Sequence, residues 1–192
     1  MTFQQRESGV WVYPRSVWRK FAWRVPLLLW RMGLGWLFRA LPMLVLTTRG
    51  KKSGHPRHVM IECSSINGKI YVTPGWGERT QWYRNIAADP HVTVQRKGEV
   101  FAATAVRVTD ANELSAVFQY VHETSPMWKP FLNSWGIEDN LQDFLSKHDR
   151  IVALRFDRSE VRPPLPSLRV DLWWVWLVLA ALGAILLGAG ER

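Results

Sequence analysis

Residues 44–57 carry the densest chemistry in the chain. An apolar run, Leu44-Val45-Leu46-Thr47-Thr48, breaks into a basic turn, Arg49-Gly50-Lys51-Lys52-Ser53-Gly54-His55-Pro56-Arg57. A turn of this kind frees backbone N–H groups, and four cations surround them, which makes a site for phosphate or carboxylate. It is not a P-loop, because the G-x-x-x-x-G-K-[ST] spacing is absent and a strand rather than a helix follows. The single cysteine, Cys63, excludes an internal disulfide, a CxxC redox pair and a cysteine zinc cluster, and reads as a small core residue. His55 and His58 flank the turn without a carboxylate or third histidine, so they do not read as a metal pair.

The elements that position the turn read as mainly β with helices, an α+β pattern. Strands are expected at 43–48, 58–65, 69–73, 92–95, 99–109 and 151–156, with Asn67-Gly68 and Lys97-Gly98 as hairpin turns. Helices are expected at 80–88, from Asp110 to about residue 122 with Glu113 completing a capping box, and again up to about 147. The stretch with Pro126, Trp128, Pro130 and Trp135 reads as a loop. Six strands interrupted by helices fit an antiparallel barrel; no G-x-G-x-x-G or regular strand–helix alternation supports a Rossmann fold.

Charge is unevenly spread. Through residue 58 there are eleven Lys/Arg against one acid, a balance of +10, while the remainder carries −1 of the total +9. The anionic partner is therefore local to the first third. That region has no nucleic-acid-binding motif and its cations lie among apolar runs, which favours a membrane surface over nucleic acid.

Two segments read toward a membrane. Residues 172–190 are free of charge, with Trp173, Trp174 and Trp176 at one end; as a helix of ~28 Å they approach the ~30 Å hydrocarbon thickness. A C-terminal transmembrane tail anchor is expected there, with the body on the cytoplasmic side of the cell membrane. The Pro-rich stretch 161–171 reads as a linker to it. Residues 16–41, within a basic and aromatic N-terminal segment 1–42, set Lys20, Arg24, Arg31 and Arg39 in a stripe of roughly 100° on helices broken near Pro26. This suits either an interfacial helix or an ordinary helix packed on the barrel.

Further motifs follow the turn in order: Ile61-Glu62, Thr73-Pro74-Gly75-Trp76-Gly77, and Trp82-Tyr83-Arg84-Asn85. Together with the turn they resemble the deazaflavin-dependent nitroreductase family, a branch of the split-barrel flavin and deazaflavin oxidoreductases. The likeness runs over about residues 26–110 and more loosely to 156. It implies a split β-barrel, FMN-binding-like, across 43–160, and a cofactor, the deazaflavin coenzyme F-420, with FMN as the alternative. On that resemblance Lys51, Lys52, Arg57 and the Ser53–Gly54 backbone would hold phosphate and tail carboxylates. Val59, Met60 and Ile61 would lie along the ring, Gly75, Trp76 and Gly77 would allow close approach, and Trp82 and Asn85 would close the pocket. Trp128, Phe131 and Trp135 are the candidates for an aromatic lid over the substrate.

Two positions depart from the family: Met60 stands where many members have proline, and Pro74 where they have serine. The resemblance implies hydride transfer to a lipophilic acceptor such as a membrane quinone or nitro compound. No residue stands out as proton donor, Tyr83, Tyr120 and His122 being options. A non-catalytic split-barrel binder of FMN, heme or a fatty acyl chain is the competing expectation, and a homodimer is left open.

Overall fold

The basic turn joins β1 (Met43–Arg49) to β2 (Pro56–Glu62), which pair antiparallel from Met43 opposite Glu62 to Arg49 opposite Pro56. The computed structural model describes residues 24–189. The part of the basic N-terminal segment before residue 24, including Lys20, Trp18 and Trp23, lies outside the described residues.

The expected strand at 58–65 is two strands. Cys63 breaks the run, its N–H donating to the Pro42 carbonyl at 2.8 Å, and β3 (Ser64–Ile66) then pairs with β4 (Lys69–Val72) across the Asn67-Gly68 turn. Asn67 and Gly68 both take positive φ, 49° and 77°, as a two-residue hairpin of the observed twist requires. Lys97-Gly98 does the same between β5 (His91–Arg96) and β6 (Glu99–Arg107). With β7 (Leu154–Ser159) the order is β2-β1-β5-β6-β7-β4-β3. One residue separates β2 from β3 in the chain, yet they form opposite edges of the sheet. Its edges must therefore curl round to meet, and the result is an α+β split barrel, here of seven strands.

Leu44, Leu46, Val92, Val94, Phe101 and Phe156 fill the barrel core, and the buried Cys63 thiol is pushed up in pKa by burial. A second core lies between the sheet and three helices, α3 (Ala111–Thr124), α4 (Trp128–Ser134) and α5 (Leu141–Ser146). The Asp110 side chain accepts from the Glu113 N–H at 2.8 Å, the expected cap. The predicted loop at 126–135 is instead α4; Pro130 is tolerated because it falls in the first turn, where N–H groups lack helical partners anyway. The last strand begins three residues later than expected.

Glu113 also ties α3 to the sheet. It accepts from the Tyr71 hydroxyl at 2.7 Å and from Arg155 Nη1 at 2.8 Å, while Arg155 Nε donates to Asp157 at 2.5 Å. Burial, then the Glu113 bond, pushes Tyr71 up to about 12. Burial alone would raise Glu113, but the bonds from Arg155 and Tyr71 outweigh it and hold the carboxyl below its usual range; the Arg155 bond does the same to Asp157. Carboxylates depressed in the folded state stabilise fully above their unfolded pKa of about 4, and the contribution is lost as pH falls through the lower folded values. Thermal melts from pH 7 to 3 should therefore show an acid-sensitive drop, and Arg155→Gln should shrink it while lowering the melting temperature at pH 7.

The stretch 161–171 lies on the outer face of the sheet. There Thr93 Oγ1 donates to the Leu165 carbonyl at 2.8 Å and Gln95 Oε1 accepts from the Leu168 N–H at 2.6 Å. The C-terminal helix α6 is Val175–Ala189, because Leu172 N–H is bound to the Arg31 carbonyl and residues 173–174 form a turn. Its 15 residues span ~22 Å. Among the described residues no helix is long and apolar enough to cross a membrane, which corrects the expected spanning helix; residue 190 lies outside the description.

Candidate functional site

A cleft of about 890 Å³ opens between the basic turn, the start of β2, helix α1 (Val25–Arg31) and helix α2 (Gln81–Ile86). Arg24, Lys51, Lys52, Arg57 and Arg84 line it, and among the described residues no carboxylate does. Leu27, Val59, Trp76 and Trp82 supply apolar surface in the same space. With five cations and no acid, the local potential strongly favours an anion, and the indoles offer flat faces for a ring.

The turn is rigidly built. Gly50 N–H donates to His55 O at 2.9 Å and Gly54 N–H to Gly50 O at 2.8 Å. A Cβ on Gly50 would lie 2.7 Å from Ser53 Oγ and 3.1 Å from the His55 carbonyl, so the turn can close this tightly only over glycine. Arg57 reaches Ser53 Oγ at 3.4 Å.

Asn85 lines the cleft from α2 and also holds the turn in place. It is buried, its Oδ1 accepts from Lys51 N–H at 3.1 Å and its Nδ2 donates to Thr48 Oγ1 at 2.9 Å. It therefore pins α2 to the turn and fixes where the cations stand. Replacing it with alanine leaves both partners unsatisfied, at about 2 kcal/mol. For a domain of this size that lowers the melting temperature by roughly 4–8 °C. Differential scanning calorimetry of Asn85→Ala checks this.

His58 faces the cleft, its Nδ1 2.9 Å from Thr47 Oγ1; burial first, then the nearby Arg31, lower its pKa and favour the neutral ring. Thr80 is almost fully buried at the cleft wall, and its Oγ1 has no hydrogen-bond partner among the described residues. That orphaned hydroxyl is what a ligand-binding wall provides.

A family model for F420H(2)-dependent quinone reductases matches residues 29–133, more than half of the chain. The chain belongs to that family. Solved structures with likeness include an F420-H2 dependent reductase, 25% identical over 60% of this chain and 94% of its own, with a TM-score of 0.46. Another, described as a domain-swapped dimer, is 26% identical over 60% and 80% at 0.45. A heme storage protein from Vibrio cholerae is 17% identical over 65% and 87% at 0.44.

Of the residues that the family resemblance singled out, Lys51, Lys52, Ser53, Arg57, Val59, Trp76, Trp82 and Asn85 meet at the cleft. Gly54 sits in the turn, outside the lining. Met60 and Ile61 do not line it either: Ile61 packs against the barrel core and Met60 is buried on the sheet's other face, since successive strand residues alternate. Gly75 lines a separate cavity of about 80 Å³. Gly77 makes room for Trp135, whose Cη2 would meet its Cβ at 2.7 Å. Trp128 and Phe131 are 5% and 4% exposed in the second core, stacked at 5.5 Å, and line the same small cavity as Gly75, while Trp135 packs against that core. Pro74 is fully buried. Of the proton-donor options, none of Tyr83, Tyr120 and His122 lines the cleft; His122 stacks on Phe118 and bonds Asp139.

Sequence reading missed Leu27, Thr48, Thr80 and Gln81 as wall residues. Arg24 was visible as a cation, but nothing local indicated that α1 folds over the turn.

Proposed function

We propose that the chain is a deazaflavin-dependent oxidoreductase that uses coenzyme F-420 to reduce a lipophilic acceptor such as a membrane quinone or nitro compound. One observation carries this reading: the acid-free cleft holding five Lys/Arg beside two indoles. The coenzyme that the family implies has a phosphate and an oligoglutamate tail at one end and a flat ring at the other. Lys51, Lys52 and Arg57 would hold the charged end, with Arg24 and Arg84 on the facing walls, while Val59, Trp76 and Trp82 would seat the ring. The Thr80 hydroxyl adds a polar contact. FMN, with one phosphate, would leave much of this positive charge unmatched. When bound, the reduced deazaflavin supplies the hydride; the residues of this chain bind it, orient it and exclude water. We place the body at the cytoplasmic side of the cell membrane, a reading that the cationic first third supports.

Fluorescence titration of the full chain with oxidised F-420 at low ionic strength tests the proposal, followed by oxidation of F-420H2 in the presence of menadione. Saturable binding and quinone-dependent oxidation are expected. Absence of saturable binding, or co-purified heme or fatty acid in the cleft, would overturn it.

A further inference from the structure

The two segments whose sequences read toward a membrane are joined in the fold. Arg31 Nε and Nη2 form a paired bridge to Asp171 at 2.7 Å each. Leu172 N–H donates to the Arg31 carbonyl at 2.9 Å, and Trp176 Nε1 to the Met32 carbonyl at 2.8 Å. Behind these bonds, a Cβ on Gly33 would lie only 3.6 Å from Val170. The 3₁₀ turn Leu34–Phe38 and the base of α6 are thus held beside each other, over 130 residues apart in sequence.

Both elements expose large apolar side chains. Trp36 is 60% exposed and Trp173, at the base of α6, 58%, with Leu37, Trp174, Leu177 and Ile185 also open to solvent. The cations beside them are Arg39, next to the 3₁₀ turn, and Arg169, next to Val170, both exposed, while the neighbouring Asp171 is taken up by Arg31.

We propose that the 3₁₀ turn and α6 form one platform that docks on an anionic lipid surface. A helix apolar and exposed around its circumference needs a partner that covers every side, and a second copy of the chain would cover only a stripe. Lipid covers every side where the helix dips from the headgroup layer into the acyl chains, which it can do without crossing them. The indoles stand at the junction of apolar helix and cationic body, where they match the headgroup layer, and the arginines match anionic headgroups. Helix α1 links this platform to the cleft, since its other end supplies Arg24 and Leu27.

The test is co-flotation of the full chain with vesicles of phosphatidylcholine, alone or mixed with phosphatidylglycerol. The mixed vesicles should bind more tightly. Trp36→Ser with Leu37→Ser, and separately Trp173→Ser with Trp174→Ser, should each weaken binding at least about tenfold. Arg39→Glu, at an exposed site, should weaken binding to the mixed vesicles only. If the Trp36/Leu37 pair binds like the parent while the Trp173/Trp174 pair is lost, attachment is through the tail alone and the platform is refuted. Lipid-free sedimentation as a dimer, with no vesicle binding, would assign the surface to a second copy instead. F-420 titration of the same samples keeps the readings apart: binding retained without flotation sinks the platform and the membrane placement and leaves the deazaflavin reading standing.

Discussion

Lys52→Glu combined with Arg57→Glu is expected to weaken F-420 binding by a hundredfold or so, with little change in melting temperature. Both side chains are exposed at the lip of the cleft, so the folded body does not depend on them. Their exposure also tempers the effect, because water and salt screen them. Removing two attractive contacts and adding two repulsive ones should cost about 2–4 kcal/mol together, since hydrogen bonds to charged groups contribute about 1.5–3 kcal/mol each when well formed. At 1.4 kcal/mol per tenfold, that centres on two orders of magnitude. The parent should itself bind more weakly as ionic strength rises, because screening at 0.1 M sets in over ~10 Å. Titrations of parent and variant at low and high salt check both points. Equal affinity of the two proteins at low salt would mean that the charged end binds elsewhere.

Gly77→Ala should be among the most destabilising small substitutions in the chain. Gly77 has φ +52°, a conformation that costs an L-residue about 1–2 kcal/mol. Its new Cβ would also stand 2.7 Å from Trp135 Cη2 and 3.2 Å from Cζ2. Trp135 packs against the second core and edges onto Phe131 at 6.4 Å, so the ring cannot simply swing away. Overpacking of this kind costs about 1–3 kcal/mol. The sum, roughly 2–5 kcal/mol, corresponds to a melting temperature lower by about 5–15 °C. A second substitution separates the two causes: Trp135→Phe should recover the steric part in the Gly77→Ala background and leave the backbone part. Because Trp76 lines the cleft next door, the same variant should bind F-420 less well. A Gly77→Ala protein that melts with the parent would show that the indole is not confined there.

Features written in short stretches of sequence were legible. The basic turn, both two-residue hairpins and the Asp110 cap each depend on residues at most a few positions apart, whose backbone preferences and hydrogen bonds hold wherever the segment ends up. The family resemblance extended that reading to the cluster at the cleft for eight of its thirteen cofactor residues.

What failed depended on distant partners. The break at Cys63 follows from closing a curled sheet, not from any weak strand former at that position. Only the fold sets Gly77 against Trp135 and puts Trp128 and Phe131 in the second core beside the cavity that Gly75 lines. Asn85 was legible as a cleft residue, but its hold on the turn runs to residues 34 and 37 positions away. The start of α6 is set by a carbonyl of Arg31. Sequence alone thus determined which local turns form and which charges gather, since those energies are paid between neighbours. The fold decided which faces of those elements see the cleft, the core or the outside, because burial depends on what the rest of the chain brings against them.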